Sequence, residues 1–183
     1  VIAAAGFMVG MLSTGLAFHL ISILGAQGLT TIEAAANFIP QTVAALLGTL
    51  GLGAIVDRID PRWGVAASML TMAGALGLLP FVGPGISGVI FGVLLGAAMG
   101  ALRGVEAAAF VRYYGRGHIG AIRGLATAIG LASTALGPLY FALGLTLTGS
   151  YAGPSLVAAL FPLLVALSAI FIRPPAAPDT LEQ

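Results

Sequence analysis

Long apolar stretches alternate with short polar ones along this chain. The apolar runs are residues 2–24, 33–56, 64–83, 86–110, 120–147 and 153–172. Between them lie GAQGLTT (25–31), DRIDPRW (57–63), VGPG (82–85), RYYGRGH (112–118) and TGSYAGP (148–154). No run alternates with period two as a barrel strand does, and each reaches the roughly 20 residues that cross a hydrocarbon core of about 30 Å. Six membrane-spanning helices are predicted, with a Gly or Pro in every connection where the chain reverses.

Composition agrees with that pattern. Of 183 residues, 59% are hydrophobic and 7% charged, with mean hydropathy +1.09; a soluble domain carries about a quarter charged residues. The absence of Cys excludes disulfides, thiolate zinc sites and thiol nucleophiles, and the absence of Lys excludes a P-loop and Schiff-base chemistry. Net charge is +1 and the seven basic residues, all Arg, are scattered, so nucleic acid is not an expected partner. Nor is a cofactor or metal expected. Val1 is preceded by no initiator Met and begins no signal peptide, and the chain reads as a piece of a longer one.

Charge also orients the spans. One set of connections, with the tail, holds Arg58, Arg62, Arg112, Arg116, Arg123 and Arg173, and the other set holds no Arg. The positive-inside rule therefore places the charged loops and both termini in the cytoplasm of a cell (inner) membrane protein. Residues 1–172 form the six-helix unit, and the Pro-rich tail 173–183 is expected to be disordered.

The first charged loop has an order that a solvated turn does not need. Gly53 is followed by three apolar residues, Asp57, Arg58 and, four positions on, Arg62. This resembles the G-x-x-x-D-R-x-G-x-R signature of the major facilitator superfamily, with Asp60 where that family usually has Gly. RYYGRGHIGAIRG (112–124) and TALGPLYFALGLTLTGSY (134–151) are similar to blocks of its monocarboxylate-porter and oxalate/formate-antiporter branch, although Thr146 stands where relatives often have Asp. The resemblance implies an all-α integral membrane fold, one C-terminal half of a 12-helix transporter. It further implies a small organic anion as substrate, alternating access, and a partnering N-terminal half. It assigns conformational gating to Asp57, Arg58, Arg62, Arg112 and Arg123, with Asp57 facing the start of the fifth span near Gly120 and Arg112 or Arg123 as its counter-charge.

Two motif matches carry less. GRGHIG (115–120) fits a dinucleotide fingerprint literally, but an apolar helix precedes it and no acidic residue follows before Asp179. GISG (85–88) is similar to an intramembrane serine-protease element, yet spacing and order of the two His do not support it. No enzyme is expected. The alternative to a transporter is a self-contained six-helix protein, a hydrolase or a scaffold.

Polar groups inside the spans are the candidate site. Arg103 and Glu106 are three apart on one helix face; Arg103 either holds a substrate carboxylate or forms a structural pair with Glu106. Glu33, Asn37 and Gln41 recur every four residues beside Pro40. Asn37 and Gln41 are candidate substrate donors, with interhelical bonding as the other reading, and Glu33 is expected at the water. Tyr140 either presents its hydroxyl to the cavity or packs. Proton coupling is assigned to His19 and Glu106, against a His simply bonded to a neighbour. Gly130, Gly137 and Gly144 recur every seven residues, which reads as one bare, sliding helix stripe.

Overall fold

The computed structural model describes residues 1–56, 58–114 and 119–171. Asp57, residues 115–118 and the tail from 172 lie outside them, and with them the expectations placed on Asp57, on most of GRGHIG and on the tail. The described residues form eight α-helices: α1 Ile2–Ala26, α2 Thr31–Ala36, α3 Phe38–Ile55, α4 Pro61–Leu78, α5 Ile86–Tyr114, α6 Ile119–Thr134, α7 Leu136–Thr148 and α8 Ala152–Phe171. A 3₁₀ turn, Leu79–Phe81, extends α4. They compose six helical segments long and apolar enough to cross a membrane, because α2 with α3, and α6 with α7, each make one span. Their limits agree with the apolar runs within four residues, and they fit a multi-pass membrane protein.

Local chemistry sets the ends. Gly28, at φ +90°, turns the chain after α1. Thr30 and Glu33 then form a reciprocal capping box, the Glu33 N–H donating to Thr30 Oγ1 and the Thr30 N–H to Glu33 Oε2. Asp60 caps α4 with Pro61 in its first turn, so the loop ends in a helix start at Asp60. Gly149, left-handed at φ +70°, ends α7 and donates to the Leu145 carbonyl.

Two prolines break two spans in the same manner. Pro40 has no N–H for the carbonyl of Ala36, and the helix is interrupted at Asn37; Pro138 has none for Thr134, and the interruption is at Ala135. Each break therefore lies three residues before its proline. Both break residues keep helical backbone angles, so the hydrogen-bond ladder is cut without the span unwinding.

Packing crosses between the two three-span triplets. The second span lies along the fourth through α3 and α5, and the fifth lies along the first through α6–α7 and α1. α4 rests between α5 and α8, where Ser68 donates to the Ala98 carbonyl at 2.7 Å. A stripe of Gly92, Gly96, Gly100 and Gly104 on α5 brings the backbones together. A Cβ on Gly96 or Gly100 would run into the carbonyls of Gln41 or Ala45, and Thr49 bridges the gap by donating to the Gly100 carbonyl. Lipid removes the hydrophobic drive for helix association, so such close backbone contact supplies the dispersion and weak Cα–H···O attraction. On the other pair, a Cβ at Gly137 would strike the Met11 carbonyl. The apolar core fills the space between these contacts, with Leu12, Leu16, Leu20, Met72, Phe91 and Phe141 fully buried.

The expected stripe of Gly130, Gly137 and Gly144 does not serve one partner. Gly137 faces α1, whereas Gly144 faces the Pro154 ring at the start of α8. The break at Ala135 lies between Gly130 and Gly137.

Candidate functional site

A cavity of about 420 Å³ opens on the face formed by α1, α5 and α6. α1 contributes small and hydroxylated residues, including Gly6, Gly10, Ser13 and Thr14, while α5 contributes Arg103 and Glu106 and α6 contributes Arg123 and Thr127. The glycines are what make room. Glu106 Oε1 lies 3.0 Å from the position of a Cβ on Gly6, so the half-buried carboxylate is seated over a bare stretch of α1.

Arg103 and Arg123 are exposed in the cavity. Among the described residues the one ion pair within 4.0 Å is Arg62–Asp60, so neither cavity Arg is closed down onto Glu106. The sequence places Arg103 and Glu106 on one face, and the structure keeps them there without a direct pair. Arg123, expected in gating, belongs to this cavity. Two guanidiniums facing one carboxylate leave a cationic site in which a guanidinium fork can meet an incoming carboxylate.

The other predicted donors lie elsewhere. Asn37 is buried between α3 and α5, donating from Nδ2 to the Gly88 carbonyl at 2.6 Å, and its Oδ1 has no partner among the described residues. Gln41 is buried one turn further along the same contact, against Gly96. A smaller groove of about 220 Å³ beside Asn37, Glu33 and Pro40 shares no lining residue with the Arg103 cavity. Tyr140 donates its hydroxyl to the Pro154 carbonyl at 2.7 Å, tying α7 to α8. None of these three lines the cavity that holds Arg103.

At the Arg-rich end of the bundle the charges make a clamp. Arg112 Nη1 donates to the Ile59 carbonyl at 2.8 Å, and Tyr113 donates to Asp60 Oδ1 at 2.6 Å. Arg62 Nε stands 3.5 Å from Asp60 Oδ2, close enough for attraction but not aligned as a hydrogen bond, and its guanidinium lies 5.3 Å from the Trp63 ring centre. Arg58 is exposed in the loop. Thus Arg112 and Arg62 hold the loop between α3 and α4, while Arg123 is in the cavity.

His19 occupies a third place. Its Nε2 is 3.1 Å from the Pro138 carbonyl, and its Nδ1 is 3.4 Å from the Tyr151 hydroxyl, which is 2.9 Å from Ser22 Oγ. Ser87 instead bonds the backbone of Gly83, so the GISG serine and His19 have different partners.

Sequence reasoning missed the Gly92–Gly104 stripe, the capping box and the role of Tyr151. The first two had readable signals, a four-residue glycine period and T-x-x-E. Tyr151 had none, since its partners lie more than 120 residues away. No protein-family model matches this chain and no curated protein matches it, so the geometry of these sites is the ground for a functional reading.

Proposed function

We propose that this chain is one six-helix half of a secondary transporter that carries a small organic anion by alternating access. The observation that carries the reading is the open cavity in which Arg103 and Arg123 face Glu106 without closing on it. A charged group at membrane depth is costly, and Arg103, left accessible there with Arg123 one turn inside the end of its span, is best explained by an anion that visits the pair.

The breaks support the same reading. In a repeat of three plus three spans, the second and fifth occupy corresponding positions, and these are the two interrupted by proline. Interrupted helices at matching places in two repeats, with exchanged packing between them, suit a bundle that rocks. The missing wall of the cavity is assigned to a second six-helix half of the same protein, and the clamp of Arg112 and Tyr113 on the Ile59–Asp60 loop to the gate at the Arg-rich, cytoplasmic end.

Uptake of radiolabelled pyruvate and lactate into proteoliposomes holding the complete gene product tests the proposal. Saturable uptake whose apparent affinity falls roughly thirtyfold in Arg103→Gln, with unchanged protein incorporation, is the expected result. Equal uptake by wild type and Arg103→Gln makes Arg103 a structural residue and removes the main support for an anion site.

A further inference from the structure

We infer that His19 is a proton-binding site supplied from the membrane surface through Ser22 and Tyr151. A backbone carbonyl only accepts, so the Pro138 oxygen fixes the proton of neutral His19 on Nε2 and leaves Nδ1 as an acceptor. Nδ1 then receives the Tyr151 hydroxyl proton, and the Tyr151 oxygen receives the Ser22 hydroxyl proton. The three side chains form one directed chain of hydrogen bonds.

Its two ends differ in access. Ser22 is exposed and lies four residues from the last residue of α1, about 6 Å along the axis. Tyr151 is buried at 5% exposure, and His19 is half-buried a turn deeper than Ser22. A proton delivered to Ser22 Oγ lets the serine's own proton pass to Tyr151 Oη and the tyrosine proton pass to His19 Nδ1. Each hydroxyl ends with one proton, now pointing the other way, and the ring ends as an imidazolium with two N–H groups. Only O–H and N–H bonds exchange, and a hydronium ion at the surface supplies the proton and is left as water.

The surroundings leave His19 as the group that accepts it. From α7 it meets Pro138 and the Phe141 ring, and from the α7–α8 turn the Tyr151 ring at 5.9 Å between centres. Glu33 of α2 is occupied by Thr30. Arg103, Glu106 and Arg123 line the cavity beside Gly6 and Gly10 of α1. Gly6 is 13 residues, about 20 Å, from His19. The described parts of α8 carry no ionisable side chain, and α4 carries only Arg62 at its far end. Protonation also makes the Nε2–H bond to Pro138 charge-assisted, which tightens α1 against the helix that begins just after the Ala135 break. In that respect the site rests on the transporter reading, as its coupling proton; as a proton site it does not.

These 183 residues hold two histidines, so a His118→Gln background, with the His19→Gln spectrum subtracted to remove any histidine outside them, isolates the His19 signals. Histidine-labelled protein in lipid nanodiscs, followed by ¹⁵N NMR across about pH 5 to 8, reads both ring nitrogens. The expected result is an Nε2–H tautomer that gains a proton on Nδ1 as pH falls, with exchange of that proton slowed about tenfold in Ser22→Ala and in Tyr151→Phe. An Nδ1–H tautomer, a ring that never titrates in this range, or exchange unchanged in both variants overturns the relay. A chain that moves pyruvate while His19 stays neutral sinks the relay alone. A chain that moves no anion while His19 titrates through Tyr151 keeps the relay and sinks the transporter reading.

Discussion

The hydroxyl of Tyr113, near the end of α5, donates at 2.6 Å to Oδ1 of Asp60, the residue that caps α4. One carboxylate thereby starts a helix and ties it to its neighbour. Burial works to raise the Asp60 carboxyl, but the Tyr113 hydroxyl, the Arg62 N–H and the charges of Arg62 and Arg112 outweigh it and hold the group below its ordinary value.

A depressed folded value means that the linked stability is present above the unfolded value of 3.8 and is lost as pH falls through the folded one. Tyr113→Phe removes one of the groups that lower it. The acid limb of thermal stability, measured in detergent, is expected to move to higher pH in this variant while stability near neutrality falls by about 1 kcal/mol. An acid limb that stays in place would show that Tyr113 does not set the Asp60 carboxyl.

Gly96→Ala and Gly100→Ala each push a methyl group into a carbonyl of α3. The backbones must separate, at a cost of about 1–3 kcal/mol. Gly77→Ala on α4 is the control, because nothing lies within 4 Å of a Cβ there; it is expected to be neutral or to gain up to about 1 kcal/mol from helix propensity. Thermal unfolding of the three variants separates close packing from propensity, and equal changes in all three would remove the packing argument.

Pro40→Ala and Pro138→Ala each return an N–H to a span that lacks one. Restoring the bond to the Ala36 or Thr134 carbonyl is expected to raise thermal stability. If the breaks are hinges, turnover of pyruvate should fall more than its apparent affinity does. Stabilised variants that transport at the wild-type rate would make the breaks incidental.

Arg123 lines the same cavity as Arg103, so under the proposed anion-transport reading both are expected to bind substrate. Each Arg→Gln change removes a charged donor worth about 2 kcal/mol, roughly a thirtyfold loss of apparent affinity. The matching change at Arg112, which holds the Ile59 carbonyl outside the cavity, is expected to slow turnover and leave affinity nearly unchanged. Concentration series of uptake distinguish these, and a loss of affinity in Arg112→Gln matching that in Arg123→Gln would merge the two sites.

Glycine and proline show where local signals reach and where they end. Pro40 and Pro138 announce a weak point because the missing N–H is a property of the residue itself. The partner of Asn37 is not so announced. Interhelical bonding and a cavity wall require the same amide, and only the placement of Gly88 opposite it on α5 selects the first. The period of Gly130, Gly137 and Gly144 suggests one surface, yet the first two meet α1 on either side of the break while Gly144, further along α7, meets Pro154 of α8.

Hydropathy and loop charge by themselves determined the six helical segments and their approximate ends, since crossing a hydrocarbon core constrains length and apolarity locally. Asp60–Pro61, Thr30–Glu33 and Gly149 likewise decided helix ends within a few residues of themselves. Only the tertiary structure decided that Arg123 joins Arg103 and Glu106 rather than the loop clamp, and that His19 meets Tyr151 across 132 residues. Helix rotation and partner choice come from which bare stretches of backbone fit together, a relation between distant segments that periodicity in one segment does not contain.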